Sequence, residues 1–215
     1  MNYPEYVKID GIQYDINTDF RYALKCEEVA NNPNIDDYER AFAIIYLLFG
    51  DKGLDATQHH EKLLQLGRKY LACGKKIEEN QKEEEPDMDF QEDWDYIETS
   101  FQSDYNIDLS DKKMHWWKFF NLLNGLSTSE LGNCCVLNRV RNLRNYDVSE
   151  IKDEKLRKQI IEAKKSVALH KKQKNILSHK QSQSAIEFLK HFRKEWYYEW
   201  WRSNYRSRNR YKKFW

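Results

Sequence analysis

At 215 residues, with 40% hydrophobic and 33% charged side chains and a mean hydropathy of −0.95, the chain suits one globular body with appendages or two small lobes. Seven glycines and three prolines are too few to punctuate a many-stranded all-β fold, so the expected class is mainly α: bundle-like helical domains with an N-terminal β-hairpin. The net charge of +1 conceals a split, with a net −10 from Glu78 to Glu98 and a net +7 from Phe188 to Trp215.

In chain order, the run YVKIDGIQYDI (6–16) alternates around Asp10-Gly11, a pair suited to positive φ, and predicts the hairpin. Asn17 or Thr18 is then expected to cap a helix over DFRYALKCEEVA, with Phe20, Ala23, Leu24 and Val29 inward and its end at Asn31, Asn32 and Pro33. Asp36 or Asp37 caps DYERAFAIIYLLFG, apolar over most of its circumference and closed by Gly50. The pair Asp55 and Gln58 has capping-box spacing and opens a third helix, with Leu63, Leu64, Leu66, Tyr70 and Leu71 on one face and Gly74 at its end. Residues 1–74 are expected to form an N-terminal lobe of hairpin and helices.

Residues 75–88, KKIEENQKEEEPDM, are too charged to bury much surface and read as an acidic linker. A second helical lobe over 89–173 follows. Phe90, Trp94, Ile97, Phe101 and Tyr105 repeat at helical intervals, which predicts an amphipathic helix with an acidic outer face. MHWWKFFNLLNG, capped by Ser110 or Asp111 and stopped at Gly125, carries an apolar arc of about 220°, against about 100° for an ordinary stripe. Such an arc suits a helix surrounded on several sides, with Lys118 and Asn121 as its wet edge. Ser127 and Glu130 give a second capping box before TSELGNCCVLNRVRNLR, with Leu131, Cys134, Cys135, Leu137 or Val140, and Leu143 inward. Ser149 or Asp153 opens the next helix, whose Leu156, Ile160, Ala163, Val167 and Ala168 lie on one side and lysines on the other. A polar linker (174–184) leads to 185–215, an amphipathic aromatic helix with Ala185, Leu189, Phe192, Trp196 and Trp200 in register, ending in a basic aromatic tail.

Chemistry-bearing residues are sparse. His59 and His60 are adjacent and diverge by about 100° on a helix, so they read as surface histidines rather than chelators. Cys134 and Cys135 diverge likewise and read as buried thiols. The acidic run EEEPDMDFQEDWD lacks the ligand alternation and central glycine of a calcium loop and reads as a solvated face. No Gly-rich phosphate loop, HExxH or GxSxG is present, so no enzyme, catalytic residue, metal or cofactor is expected. The opening MNYPEYVKID has no apolar run after a basic start, and no segment approaches the roughly 20 apolar residues of a spanning helix, so a reduced, intracellular, soluble protein is expected.

Aromatic side chains mark the candidate contact surfaces. Trp196, Trp200 and Trp201 with Arg202 and Arg206 offer a basic aromatic arm for a protein partner or a second copy; nucleic acid, bound by phosphate neutralisation and base stacking, ranks below these. Trp116, Trp117 and Phe120 would add a second surface if part of their wide face stays open.

The phrases DGIQYDINTDFRYAL, DFQEDWDYIETSFQSDYNIDL, MHWWKFFNLLNGLS and KDEKLRKQIIEAKKSVAL resemble the bacteriophage gene-product-fifteen family of phages and prophages of Gram-positive bacteria. The most specific part is Asp95 to Leu109 followed by His115 to Phe119, and the resemblance covers about residues 3–170. It implies a place in long-tail morphogenesis as a tail assembly chaperone that binds the tape-measure protein and tail-tube subunits in the cytoplasm of the infected or lysogenic host. A structural tail or connector component, and a nucleic-acid-binding protein using the C-terminal arm, are the alternatives. The family carries over no active-site residue.

Overall fold

The computed structural model describes residues 3–75, 86–128 and 134–170. The chain divides into two compact units, 1–32 with 42–173 and 33–41 with 174–215; of the second, only 33–41 is described. The arms expected at 174–184 and 185–215, the linker's central residues 76–85 and Leu131 lie outside the described residues.

The hairpin forms where the alternation placed it. Strands β1 (Tyr6–Ile9) and β2 (Ile12–Asp15) pair antiparallel with Val7 opposite Tyr14, around Asp10 at φ 50° and Gly11 at φ 82°. Seven α-helices follow among the described residues: α1 (Phe20–Ala30), α2 (Asp37–Asp55), α3 (His60–Leu71), α4 (Trp94–Tyr105), α5 (Trp116–Asn124), α6 (Val136–Asn145) and α7 (Glu154–Ser166). A 3₁₀ turn, Thr57–His59, precedes α3. No helix among the described residues is long and apolar enough to cross a membrane.

The elements stand where the periodicity set them, but several caps differ. Asp19, rather than Asn17 or Thr18, caps α1 by accepting from the Arg21 amide at 3.0 Å. Asn17 is engaged elsewhere, its side-chain amide donating to the Leu47 carbonyl at 2.7 Å. At α2, Asp36 and Glu39 form a reciprocal capping box: the Glu39 amide donates to Asp36 at 2.8 Å and the Asp36 amide to Glu39 at 3.0 Å. Gly50, at φ 63°, interrupts α2 as expected, yet one further helical turn runs on to Asp55. The Asp55–Gln58 box does not form; the 3₁₀ turn stands in its place and α3 starts without a side-chain cap. Ser127 does not cap α6 either. Its amide donates to Asp104, and the thiol of Cys135 occupies the cap position, accepting from the Asn138 amide at 3.4 Å.

Phe119 is the hub of the first unit's core. Its ring stacks on Phe20 (4.5 Å between centroids), Phe101 (5.1 Å) and Trp116 (5.8 Å), tying α1, α4 and α5 together. Ile45, Leu48, Leu63, Ile97, Leu109, Leu126 and Leu137 complete a continuous apolar cluster with it. The two expected lobes therefore share one core, because α5 of the second packs on α1 of the first.

The acidic segment is not simply a solvated face. Asp93, 1% exposed, forms a two-pronged pair with Arg144 of α6, both contacts at 2.7 Å. Asp87 accepts from Arg141, and its carbonyl from Arg144 at 2.9 Å. The expected linker is thus pinned at its C-terminal end. Its neighbour α4 starts at Trp94 rather than Phe90, because Asp89 holds the Gln91 and Glu92 amides in a turn. Helix α7, expected to bury a stripe, has no buried residue and leaves Leu156 47% exposed.

Candidate protein-binding surface

The entry to helix α5 is fixed by residues near the start of the sequence. Its cap is His115, not Ser110 or Asp111, whose positions are taken by a turn in which Asp108 accepts from the Ser110 amide and hydroxyl. His115 Nδ1 accepts from the Trp117 amide at 3.0 Å, which places the ring proton on Nε2, 3.0 Å from the Pro4 carbonyl it faces. The Trp116 amide donates to Thr18 and the Phe20 amide to Met114, so the entry to α5 pairs with the entry to α1.

The two tryptophans have an unexpected job. Helix α3 ends at Leu71, where the Tyr70 carbonyl accepts from the Cys73 amide at 3.0 Å and the Leu71 carbonyl has no amide four residues on inside the helix. Trp116 Nε1 donates to the Leu71 carbonyl and Trp117 Nε1 to the Tyr70 carbonyl, each at 2.9 Å. Both indole N–H groups therefore cap α3 while their rings pack, which lets a large aromatic be buried without an orphaned polar atom. The chain then turns sharply through left-handed Cys73 (φ 53°) and Gly74 (φ 73°), where the Trp117 ring lies so close that a Cβ on Gly74 would meet it at 3.2 Å.

Trp116 is thereby a core residue. Trp117 and Phe120 are half-buried and leave an apolar edge along one flank of α5, with half-buried Leu122 on the opposite flank across exposed Lys118 and Asn121. Tyr3 meets Trp117 edge-on at 6.4 Å, and the Lys75 ammonium stands 5.2 Å over the Phe120 ring. This edge can accept apolar side chains and present one cation. Trp196, Trp200, Trp201, Arg202 and Arg206 lie outside the described residues.

Titratable groups elsewhere serve structure. His59, expected at the surface, is 7% exposed: Nδ1 lies 2.7 Å from the Tyr14 hydroxyl and Nε2 3.3 Å from Asp10. The Lys62 ammonium, 2.9 Å from Asp10, is the first cause holding that carboxyl below its ordinary range. With Tyr14 itself buried, this array ties the hairpin tip to the 3₁₀ turn and α3. His60 points instead to the Leu54 carbonyl. Burial pushes the Cys26 thiol up to about 12 and Cys73 up to about 11, so neither is an activated nucleophile. Among the described residues no three His, Cys, Asp or Glu side chains are placed to hold a metal ion.

A mainly helical body with an N-terminal hairpin, one aromatic core and a half-open aromatic edge is the class that these features define. The chain belongs to the family described as Bacteriophage Gp15 protein, which matches residues 2–169. It is a bacteriophage protein by that membership, and the match spans the aromatic core, α5 and α7 while leaving 170–215 outside. Comparison with curated proteins and with solved structures found no match.

Proposed function

We propose that this protein is a non-enzymatic tail assembly chaperone that holds the tape-measure protein, and tail-tube subunits gathered around it, in the cytoplasm of the host bacterium. Family membership supports the phage setting, and the observation that carries the binding role is the half-buried edge of Trp117 and Phe120 on a helix otherwise locked into the core. A tape-measure protein is long and helical with apolar stripes, and a client of that kind needs apolar contacts on a soluble exterior. It must later be released into the tube. Several modest contacts, repeated along the client by several copies, provide holding with release better than one tight site.

Co-expression with the tape-measure protein of the same phage tests the reading. The client's soluble fraction should rise and the two proteins should co-purify. Phe120→Ala, which removes a half-buried ring packed on Trp116 at 5.4 Å, should weaken co-purification at a temperature where circular dichroism shows the variant still folded, beyond its modest loss of melting temperature. No gain in solubility and no co-purification would sink the proposal. Mass spectrometry of purified virions should lack the protein, and its presence in stoichiometric amount would make it a structural tail component instead.

A further inference from the structure

The turn into helix α2 carries an apolar ledge that goes beyond the chaperone reading and is independent of it. It lies in the unit that groups 33–41 with 174–215. Asp36 and Glu39 fix the turn by their reciprocal capping box, and Arg40 clamps it by donating to the Ile35 carbonyl at 3.0 Å and pairing with Asp37. Beside a capping box, the apolar residue just before the cap ordinarily packs on the fourth helical residue; here those two are Ile35 and Arg40, so the usual apolar staple is missing. Yet Ile35 is only 8% exposed, and it stands outside the core cluster. Tyr38, three residues on, is half-buried and stands outside that cluster as well.

Pattern, length and charge select the occupant. The rest of the unit's sequence holds one apolar stripe, Ala185, Leu189, Phe192, Trp196 and Trp200, which falls within roughly 80° of arc on a helix. The run 171–184 separates this stripe from His170 and spans up to roughly 46 Å when extended, about the breadth of a body of this size, so the stripe is within reach of the turn. Residues 33–41 are net −2, against net +7 from Phe188 to Trp215. The acidic run farther along the chain is a poorer match for those cations, because Asp87, Asp93 and Glu92 are already taken by Arg141, Arg144 and His170. Burial first, and then the Asp36 carboxylate, push the Tyr38 hydroxyl above its ordinary value, as expected on an apolar ledge with an anionic rim. We infer that the aromatic stripe of 185–201 docks on Ile35 and Tyr38 of its own chain, with the arginines beyond it beside Asp36, Asp37 and Glu39.

A photo-crosslinking phenylalanine analogue at position 38 of the full chain, read by mass spectrometry after proteolysis, tests the contact. The main product should join position 38 to a peptide within 185–201. When isotope-labelled and unlabelled chains are mixed, that product should form within single chains. Trp196→Asp with Trp200→Asp should remove it and speed amide exchange over 35–41 about tenfold, with the melting temperature of the body retained. Arg202→Glu with Arg206→Glu should lower its yield, and added salt should lower the yield of the parent chain in the same direction. Cross-links confined to 1–32 and 42–173, a product formed only between different chains, or unchanged exchange over 35–41 in the double tryptophan variant would overturn the inference.

Discussion

Asp93 and Arg144 should be strongly coupled, so that removing both costs less than the two single losses added together. Asp93 is 1% and Arg144 10% exposed at the side chain, and the two prongs at 2.7 Å are joined by bonds from Arg144 to the carbonyls of Asp87 and Val167. The Asp93 contact is the first cause raising the Arg144 guanidinium above its ordinary value. Asp93→Asn keeps the shape but strands a buried cation, a loss of about 3–5 kcal/mol. Arg144→Met strands the carboxylate and two carbonyls, a comparable loss. In the double variant neither charge remains, so the total should fall short of the sum by about 2–3 kcal/mol. Urea denaturation of all four proteins with a shared slope measures this coupling. Single losses that add within about 0.5 kcal/mol would refute the claim that this pair holds α4 to α6.

Three further outcomes follow from the described geometry. Gly74→Ala places a Cβ at a φ of 73° and 3.2 Å from the Trp117 ring, so it should cost about 1–3 kcal/mol, read as a lowered urea midpoint and a red-shifted tryptophan emission. Burial alone would raise the Asp104 carboxyl, but the Ser127 amide and hydroxyl and the Ser103 hydroxyl outweigh it and hold its pKa below 3.8. Its contribution is therefore present above the unfolded value and lost as pH falls through the lower folded one; Asp104→Asn should flatten the acid limb of a stability–pH curve without changing its alkaline limb. For Cys26, raised by burial to about 12, the sign is opposite: its contribution is complete below the unfolded value of 9.0 and lost as pH rises toward about 12, and a thiol reagent at neutral pH should label it only after unfolding.

The elements were legible in the sequence because each rests on local information: Asp10-Gly11 for the hairpin, intervals of 3 and 4 for α4 and α7, Gly50 and Gly125 for helix ends. Caps were less so, since several polar residues compete near each start and tertiary partners decide among them. Ser127 matches the capping-box pattern, yet its amide is drawn off by Asp104, 23 residues earlier. His59 looked like a surface residue because its partners, Tyr14 and Asp10, lie in the hairpin, 45 residues away in the case of Tyr14. The buried role of Asp93 was hidden in an acidic run for the same reason: its arginine is 51 residues along the chain. At the candidate site the wide apolar arc correctly pointed to enclosure of Trp116, but no local rule announces that two indoles will cap another helix. Periodicity found the stripe on α7, while what covers a stripe is a property of the neighbours.

The ties that set α5 in place also order events in time. His115 reaches the Pro4 carbonyl across 111 residues, Trp116 and Met114 pair with Thr18 and Phe20, and Arg21 reaches the Leu109 carbonyl across 88. Closing loops of that length is slow compared with helix formation. A ribosome that has released only α1, α2 and α3 holds a chain whose Phe20 and Leu71 still lack the rings and indoles that complete them. The N-terminal half thus stays unfinished until α5 emerges, and for a protein read here as a chaperone, that half is for a short time itself an exposed apolar chain.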